Sequence, residues 1–318
     1  MALVRGLTGA LRHQIIAPAA ACSGIHAKVG MSPKEVAAGQ VRFASGLEMK
    51  QKMKSIANIM KITKAMKMVA AARMKGAQKR VDAVRGITDP QTKLFGDNPL
   101  VSGHCVDVPI TSDKGLCGGV NSQVNRVTKA LVNVAEDDSE MRLAIIGDKG
   151  RSALRRQYGK ELDIVFTEAF KGKETTFATA STIAEDVLKK DYAAARIVYN
   201  RFKSAIAYLP TVATVLMPEA IESQAEIVQA FDEYELEGPD RTEFLQDLQE
   251  FNLATTIHLG MLENAACEQA SRVQAMENSS SNASDMLDAL TTKYNKTRQA
   301  GITTELIEII SGAVALEG

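Results

Sequence analysis

Two glycine-rich turns are the first places in this chain to look for chemistry. GLCGG, with Gly115, Gly118 and Gly119, follows a strand-like stretch and precedes a helical one. A loop in that setting can turn backbone N–H groups onto a phosphate. A phosphate loop also needs Lys and then Ser or Thr directly after its last glycine, to reach phosphate and magnesium. Here Val120 and Asn121 follow, Lys114 lies before the loop, and the run is not G-x-G-x-x-G either. GDKGRS, residues 147–152, has the same strand-to-helix setting, where an anion can sit at the helix start. Both are more simply read as tight turns that pack a strand against a helix.

Other reactive groups do not converge. His13, His26, His104 and His258 lie far apart, with no acid or Cys partner in register. Cys22, Cys105, Cys117 and Cys267 form no C-x-x-C pair, so they give neither metal-ligand spacing nor a disulfide framework. No serine sits in a nucleophile elbow. Glu305 and Glu308 share a helical face and read as a polar stripe. The sequence therefore predicts no catalytic residue, no metal and no cofactor.

The elements around these turns are unevenly distributed. After Pro33 no proline occurs until Pro90, and after Pro239 none occurs at all. Proline inside a helix costs about 3 kcal/mol, so both stretches permit long helices. Seventy residues of helix would reach roughly 105 Å at about 1.5 Å per residue, which is longer than an ordinary domain is wide. Residues 46–86 read as helix, ended by Gly86 and Pro90, with Ile59, Ile62, Met66 and Val69 on one face. From Arg241 to Leu316 the helical pattern returns. Ala283, Leu287, Leu290 and Tyr294 are spaced i, i+4, i+7 and i+11, and Ile302, Leu306, Ile309 and Ala313 repeat the spacing. NSSSNAS, 278–284, is either a break or a stretch that a partner helix holds helical against its weak propensity. Two such helices from opposite ends would pair as an antiparallel coiled coil.

Between them, strand and helix signals alternate. Strands are expected at 106–112, 142–147, 161–166, 196–202 and 205–217, with helices at 120–135, near 149–158 and at 176–190. That order implies a mostly parallel sheet with helices on its faces. The predicted fold class is α/β: a long antiparallel coiled coil of both termini with an inserted Rossmann-like, mostly parallel domain. The expected divisions are 44–90 for the first shaft helix, 91–218 for the α/β domain, 219–240 for an acidic connector and 241–318 for the last helix.

Charge balances at 38 basic and 38 acidic residues, which gives no global pointer to nucleic acid. Its distribution is asymmetric. Lys50–Arg85 is basic with only Asp82 opposing, and Glu219–Glu250 is acidic with only Arg241 opposing. Separate partner surfaces and plain solvated helix faces both fit that pattern. KITKAMKMVAAARMK, 61–75, reads as a helix whose Met and Ile face a partner helix, with a basic membrane-surface or calmodulin-type helix as the other reading. No apolar run approaches the roughly 20 residues of a membrane span. Residues 1–43 read as a transit peptide. Arg5 and Arg12 precede the first acid, Glu35, Ala and Ser are frequent, and VRFAS at 41–45 reads as a processing site.

Three blocks carry a resemblance: KITKAMKMVAAARM at 61–74, TSDKGLCGGVN at 111–121 and TRQAGITTELIEIISGAVA at 297–315. With them the chain resembles the gamma subunit of the rotary proton-translocating ATP synthase, over roughly residues 46–316. The third block is the most specific, its I-T-x-E…E…G-A pattern falling on Ile302 to Ala313. Lys114 stands where the family usually carries Arg. The cysteine pair of the chloroplast branch is absent, so the mitochondrial branch fits better.

The resemblance implies a non-catalytic central-stalk shaft that couples rotation of a proton-driven c ring to the catalytic beta subunits. The implied partners are the hexamer of alpha and beta subunits, the epsilon and delta-type stalk subunits and the c ring. The implied location is the matrix side of the mitochondrial inner membrane, without a span of its own. Arg298 and Gln299, with Lys61, Lys64, Met66 and Lys67, are the implied beta-subunit contacts. Tyr234, Glu235 and Glu237 are the implied c-ring contacts, and Ile309 to Leu316 would sit in an apolar bearing. The other reading is a nucleotide-binding α/β enzyme with helical dimerisation extensions.

Overall fold

The computed structural model describes residues 46–95, 104–134, 142–170, 175–190, 192–217, 221 and 240–317. Residues 1–43, expected from the sequence to be a transit peptide, and nearly all of the acidic connector, including Tyr234, Glu235 and Glu237, lie outside the described residues.

Helix α1 is one piece from Gly46 to Phe95. It runs through Gly86 and Pro90, where the sequence placed its end. A proline removes one hydrogen bond, and the cost can be offset by packing on both sides of it. Val81 and Thr88 are both buried there. The last helix, α5, is continuous over Arg241–Glu317. NSSSNAS does not break it, because Ser280 and Ala283 are buried within it while Asn278, Ser279, Ser281 and Asn282 are exposed.

The two helices are antiparallel. Lys67 pairs with Glu277, and Arg85 with Glu263, so one index rises as the other falls. Along α1 the positions 49, 53, 56, 60, 63, 67, 70, 74, 77, 81, 84 and 88 are covered, with 57, 66, 71, 80 and 85 covered beside them. Along α5 the positions 273, 276, 280, 283, 287, 290, 294 and 297 are covered, with 275, 284 and 291 covered beside them. Steps of four and three average 3.5, the period that keeps a seam facing its partner. Leu287, Leu290 and Tyr294 lie on that seam as the sequence suggested. Ile59, Ile62 and Val69 do not, being 48%, 58% and 54% exposed. The seam of α1 is instead small or flexible, with Met60, Thr63, Ala70 and Met74, and the branched stripe beside it faces outward.

Five strands form the body: β1 Cys105–Pro109, β2 Arg142–Ile146, β3 Leu162–Phe166, β4 Ala194–Phe202 and β5 Tyr208–Leu216. Their order is β3-β2-β1-β4-β5, parallel except for β5, which pairs antiparallel with β4 through a tight hairpin. The crossover helices are α2 Val120–Val134, α3 Asp148–Leu154 and α4 Phe177–Leu188. Strands covered on both faces need continuous apolar runs, which Leu143–Ile146 supplies. Val108, Ile110, Ile146 and Ile197 face α4 and the first third of α5, meeting Ile183, Val187, Leu253 and Ile257. Leu143 and Ile145 face the other way, toward Leu154 and Tyr158.

Candidate functional site

In a doubly wound sheet, ligands bind in the crevice beyond the carboxyl ends of the strands, where the strand order reverses. Here that point lies between β1 and β4. The crevice is occupied by α5 itself. Gly260 crosses the sheet so closely that a Cβ would stand 2.7 Å from Ile110 Cδ1. One turn on, Glu263 Oε2 accepts from the Phe202 N–H at the end of β4, at 2.6 Å. Asn200 Nδ2 donates to Asn264 Oδ1 at 3.3 Å and to the Val120 carbonyl at 3.2 Å. Cys267 Sγ donates to the Asn200 carbonyl at 3.3 Å. Ser271 Oγ donates to the Cys117 carbonyl at 2.6 Å, and Arg272 Nη2 to the Gly115 carbonyl at 3.3 Å. Positions 260, 263, 267 and 271 follow the helical repeat, so one face of α5 is fastened to the strand ends turn after turn.

The first glycine turn serves this attachment. Gly118 has φ +59°, and a Cβ there would stand 2.8 Å from Ser271 Oγ. Inside the turn, Asn121 Oδ1 accepts from the Ser112 N–H at 3.0 Å and Asn121 Nδ2 donates to Ser112 Oγ at 2.8 Å. The second turn is closed as well. At the start of α3 the Asp148 N–H donates to Asp113 Oδ1 at 3.1 Å, Lys149 N–H to the Ser112 carbonyl and Gly150 N–H to Thr111 Oγ1 at 2.9 Å. The amides that would receive an anion are taken by this chain's own oxygens. Gly147, at φ 102°, packs so tightly on Thr111 that a Cβ there would overlap its carbonyl.

Glu263 of the junction is a fully buried acid. Its Oε1 accepts from Arg85 Nε and Nη2, both at 2.7 Å, and Arg85 Nη2 also donates to the Phe202 carbonyl at 2.6 Å. One ion pair thus joins α1, α5 and the end of β4. Burial, with the Glu263 charge beside it, pushes the Cys267 thiol far above its ordinary range, so it stays protonated. Burial raises Tyr208 too, while a hydrogen bond with Ser271 opposes that shift. Sequence reasoning missed Arg85, Glu263, Asp113 and Ser271. Glu263 carried a signal: an acid inside the apolar run LGMLENAAC needs a basic partner.

The residues singled out by the sequence fall in two groups that the fold does not bring together. Lys61 and Lys64 are exposed on α1. Met66 is half-buried, and Lys67 is committed to Glu277. Arg298 and Gln299 are exposed on α5, about 30 Å beyond the Lys67–Glu277 pair at about 1.5 Å per residue, near the level where α1 begins. From Arg298 to Leu316 every residue is exposed, including Ile309 at 72% and Leu316 at 90%. By length and composition alone, α5 holds a stretch apolar enough to pass for a membrane span. Glu305 and Glu308 lie within it, and carboxylates are costly in hydrocarbon.

A family model described as ATP synthase matches residues 45–316. The ATP synthase subunit gamma, mitochondrial, of Arabidopsis thaliana is 46% identical over 284 residues, covering 87% of each chain. A cryo-EM structure of the Tetrahymena thermophila mitochondrial ATP synthase central stalk and c ring holds a chain 31% identical, with a TM-score of 0.58, covering 68% of this chain and 98% of that one. A chain of the Euglena gracilis mitochondrial ATP synthase shares the fold, with a TM-score of 0.74 at 22% identity, over 86% of this chain and 95% of that one.

Proposed function

The chain belongs to the ATP synthase gamma-subunit family, and we propose that it is the central rotor shaft of a mitochondrial enzyme. It couples rotation of a proton-driven c ring to conformational change in the beta subunits, on the matrix side of the inner membrane. The observation that carries this reading is the pairing of a filled crevice with a bare helix end. The body holds a rod where such folds hold a ligand, and the rod ends in exposed apolar turns. A nucleotide-binding enzyme would need that crevice open.

In this reading residues 1–43 direct import, and Ile309–Leu316 turn inside an apolar collar of alpha and beta subunits. Lys61, Lys64, Met66 and Lys67 meet the ring lower down, and Arg298 and Gln299 meet beta subunits near the tip. Such contacts bias nucleotide affinity only when they differ between the states of each beta subunit. The body and the connector, with Tyr234, Glu235 and Glu237, form the foot on the c ring beside the epsilon and delta-type subunits. The shaft itself takes no nucleotide, metal or cofactor.

Purification of the whole complex through a tag on this chain tests the assignment. The expected composition is one copy for three alpha–beta pairs, together with the c ring. The double variant Glu235→Lys, Glu237→Lys is expected to retain alpha and beta subunits and lose c ring, more so at low salt, where exposed charges are screened least. A tagged chain recovered without alpha and beta subunits refutes the shaft. Full c-ring recovery in the double variant refutes the foot placement.

A further inference from the structure

We infer that Arg85, Glu263 and the Phe202 backbone form the torsional lock through which the body turns both helices of the shaft. The inference rests on the shaft reading above. A body can drive a helix pair only if the pair cannot swivel in its seat. Apolar contacts at the seat are short-ranged but non-directional, and Ala77, Val81, Leu262 and Ala266 can slide past one another at little cost in buried area. Directional polar bonds resist that motion.

Four donor–acceptor contacts meet at this point, from Arg85 Nε and Nη2 to Glu263 Oε1, from Phe202 N–H to Glu263 Oε2, and from Arg85 Nη2 to the Phe202 carbonyl. They belong to three elements, so rotation of either helix against the sheet breaks at least one of them. Glu263 is fully buried, which removes water as a replacement partner. The Arg guanidinium is planar and holds two acceptors in a fixed fork, which makes the joint stiff to twisting as well as to stretching. The remaining ties to α5, at Asn264, Cys267, Ser271 and Arg272, hold that helix alone. The Arg85–Glu263 pair adds α1 to these ties. Further along the shaft, Lys67–Glu277 joins the same two helices without touching the body.

The test is made on the assembled complex in sealed vesicles, comparing protons pumped per ATP hydrolysed with and without an opposing proton gradient. Glu263→Gln keeps the side-chain volume and removes the charge. It is expected to leave assembly and hydrolysis without a gradient at wild-type levels, and to lower the pumping ratio by half or more against the gradient. Arg85→Lys, which keeps the charge and loses the fork, is expected to fall between Glu263→Gln and wild type. Glu277→Ala is expected to match wild type, because it removes the interhelical ion pair with Lys67, which carries no body contact. A wild-type ratio under load in Glu263→Gln overturns the lock. If that variant fails to assemble, a wild-type ratio in Arg85→Lys overturns it. An equal loss in Glu277→Ala also overturns it, since the effect would then come from pairing of the helices. Failure of the shaft reading is separable: the wild-type tagged chain would not bring down alpha and beta subunits.

Discussion

Arg298→Ala is expected to lower ATP turnover about tenfold or more while leaving assembly intact. Arg298 stands on the exposed end of α5, where its side chain makes no hydrogen bond with a described residue of its own chain. Its removal therefore costs the fold nothing beyond a surface change. Its planar fork suits a carboxylate on a surrounding beta subunit. A hydrogen bond to a charged group is worth roughly 1.5–3 kcal/mol, and about 1.4 kcal/mol is a factor of ten. A contact of that size made at only some rotary angles biases one beta subunit over the next. Gln299→Ala is expected to act in the same direction and less, and Arg298→Lys to rescue in part. Steady-state hydrolysis by purified complexes reads all three. Normal assembly with wild-type turnover in Arg298→Ala would remove Arg298 from the coupling contacts and leave the shaft reading standing.

The second large effect is on stability. Asp107 and Arg196 are register partners on β1 and β4, and both are buried in the sheet. Arg196 Nε donates to Asp107 Oδ1 at 2.6 Å, and Asp107 Oδ2 has no hydrogen-bond partner among the described residues. Breaking a buried pair from one side typically costs about 3–5 kcal/mol, a large share of the roughly 5–15 kcal/mol that holds a domain together. Asp107→Leu alone, which leaves Arg196 buried without an acceptor on Asp107, should lose about that much. Asp107→Leu with Arg196→Met should lose much less, because no charge remains to be buried. The pH dependence has a definite sign. Burial pushes the Asp107 carboxyl up to about 6, against the lowering pull of Arg196. The folded chain then binds this proton more tightly than the unfolded chain, so this group's contribution is greatest below about pH 4 and is lost as pH rises through about 6. Urea midpoints across that range should fall with pH in the wild type, and Asp107→Asn should lack that part of the slope. A single variant as stable as the double would contradict the pair's assigned weight.

The sequence made the body legible because strands buried on both faces leave unbroken apolar runs, as at Leu143–Ile146. Element ends were less legible. Strand β1 ends at Pro109, with Ile110 in an isolated bridge, and β5 begins at Tyr208 after a hairpin that the apolar run AIAYLP concealed. Helix α1 passes Gly86 and Pro90 because packing outweighs local propensity. Its seam was misread for a related reason. Ile59, Ile62 and Val69 are the larger apolar residues, but a close helix pair selects small ones, and Thr63 and Ala70 carry little apolar signal. The junction was hardest to see, since Arg85 and Glu263 lie 178 positions apart. Only the chemical demand of a buried acid linked them.

The central claim is that this chain turns as a rod within a fixed ring. The direct measurement immobilises the alpha and beta subunits and attaches a visible probe to the body at Ser204, in the exposed hairpin between β4 and β5. With ATP present, the account predicts rotation of the probe in one direction, in three equal steps per turn, one for each beta subunit. Sustained hydrolysis with a probe that stays still, while firmly attached to this chain, would contradict it.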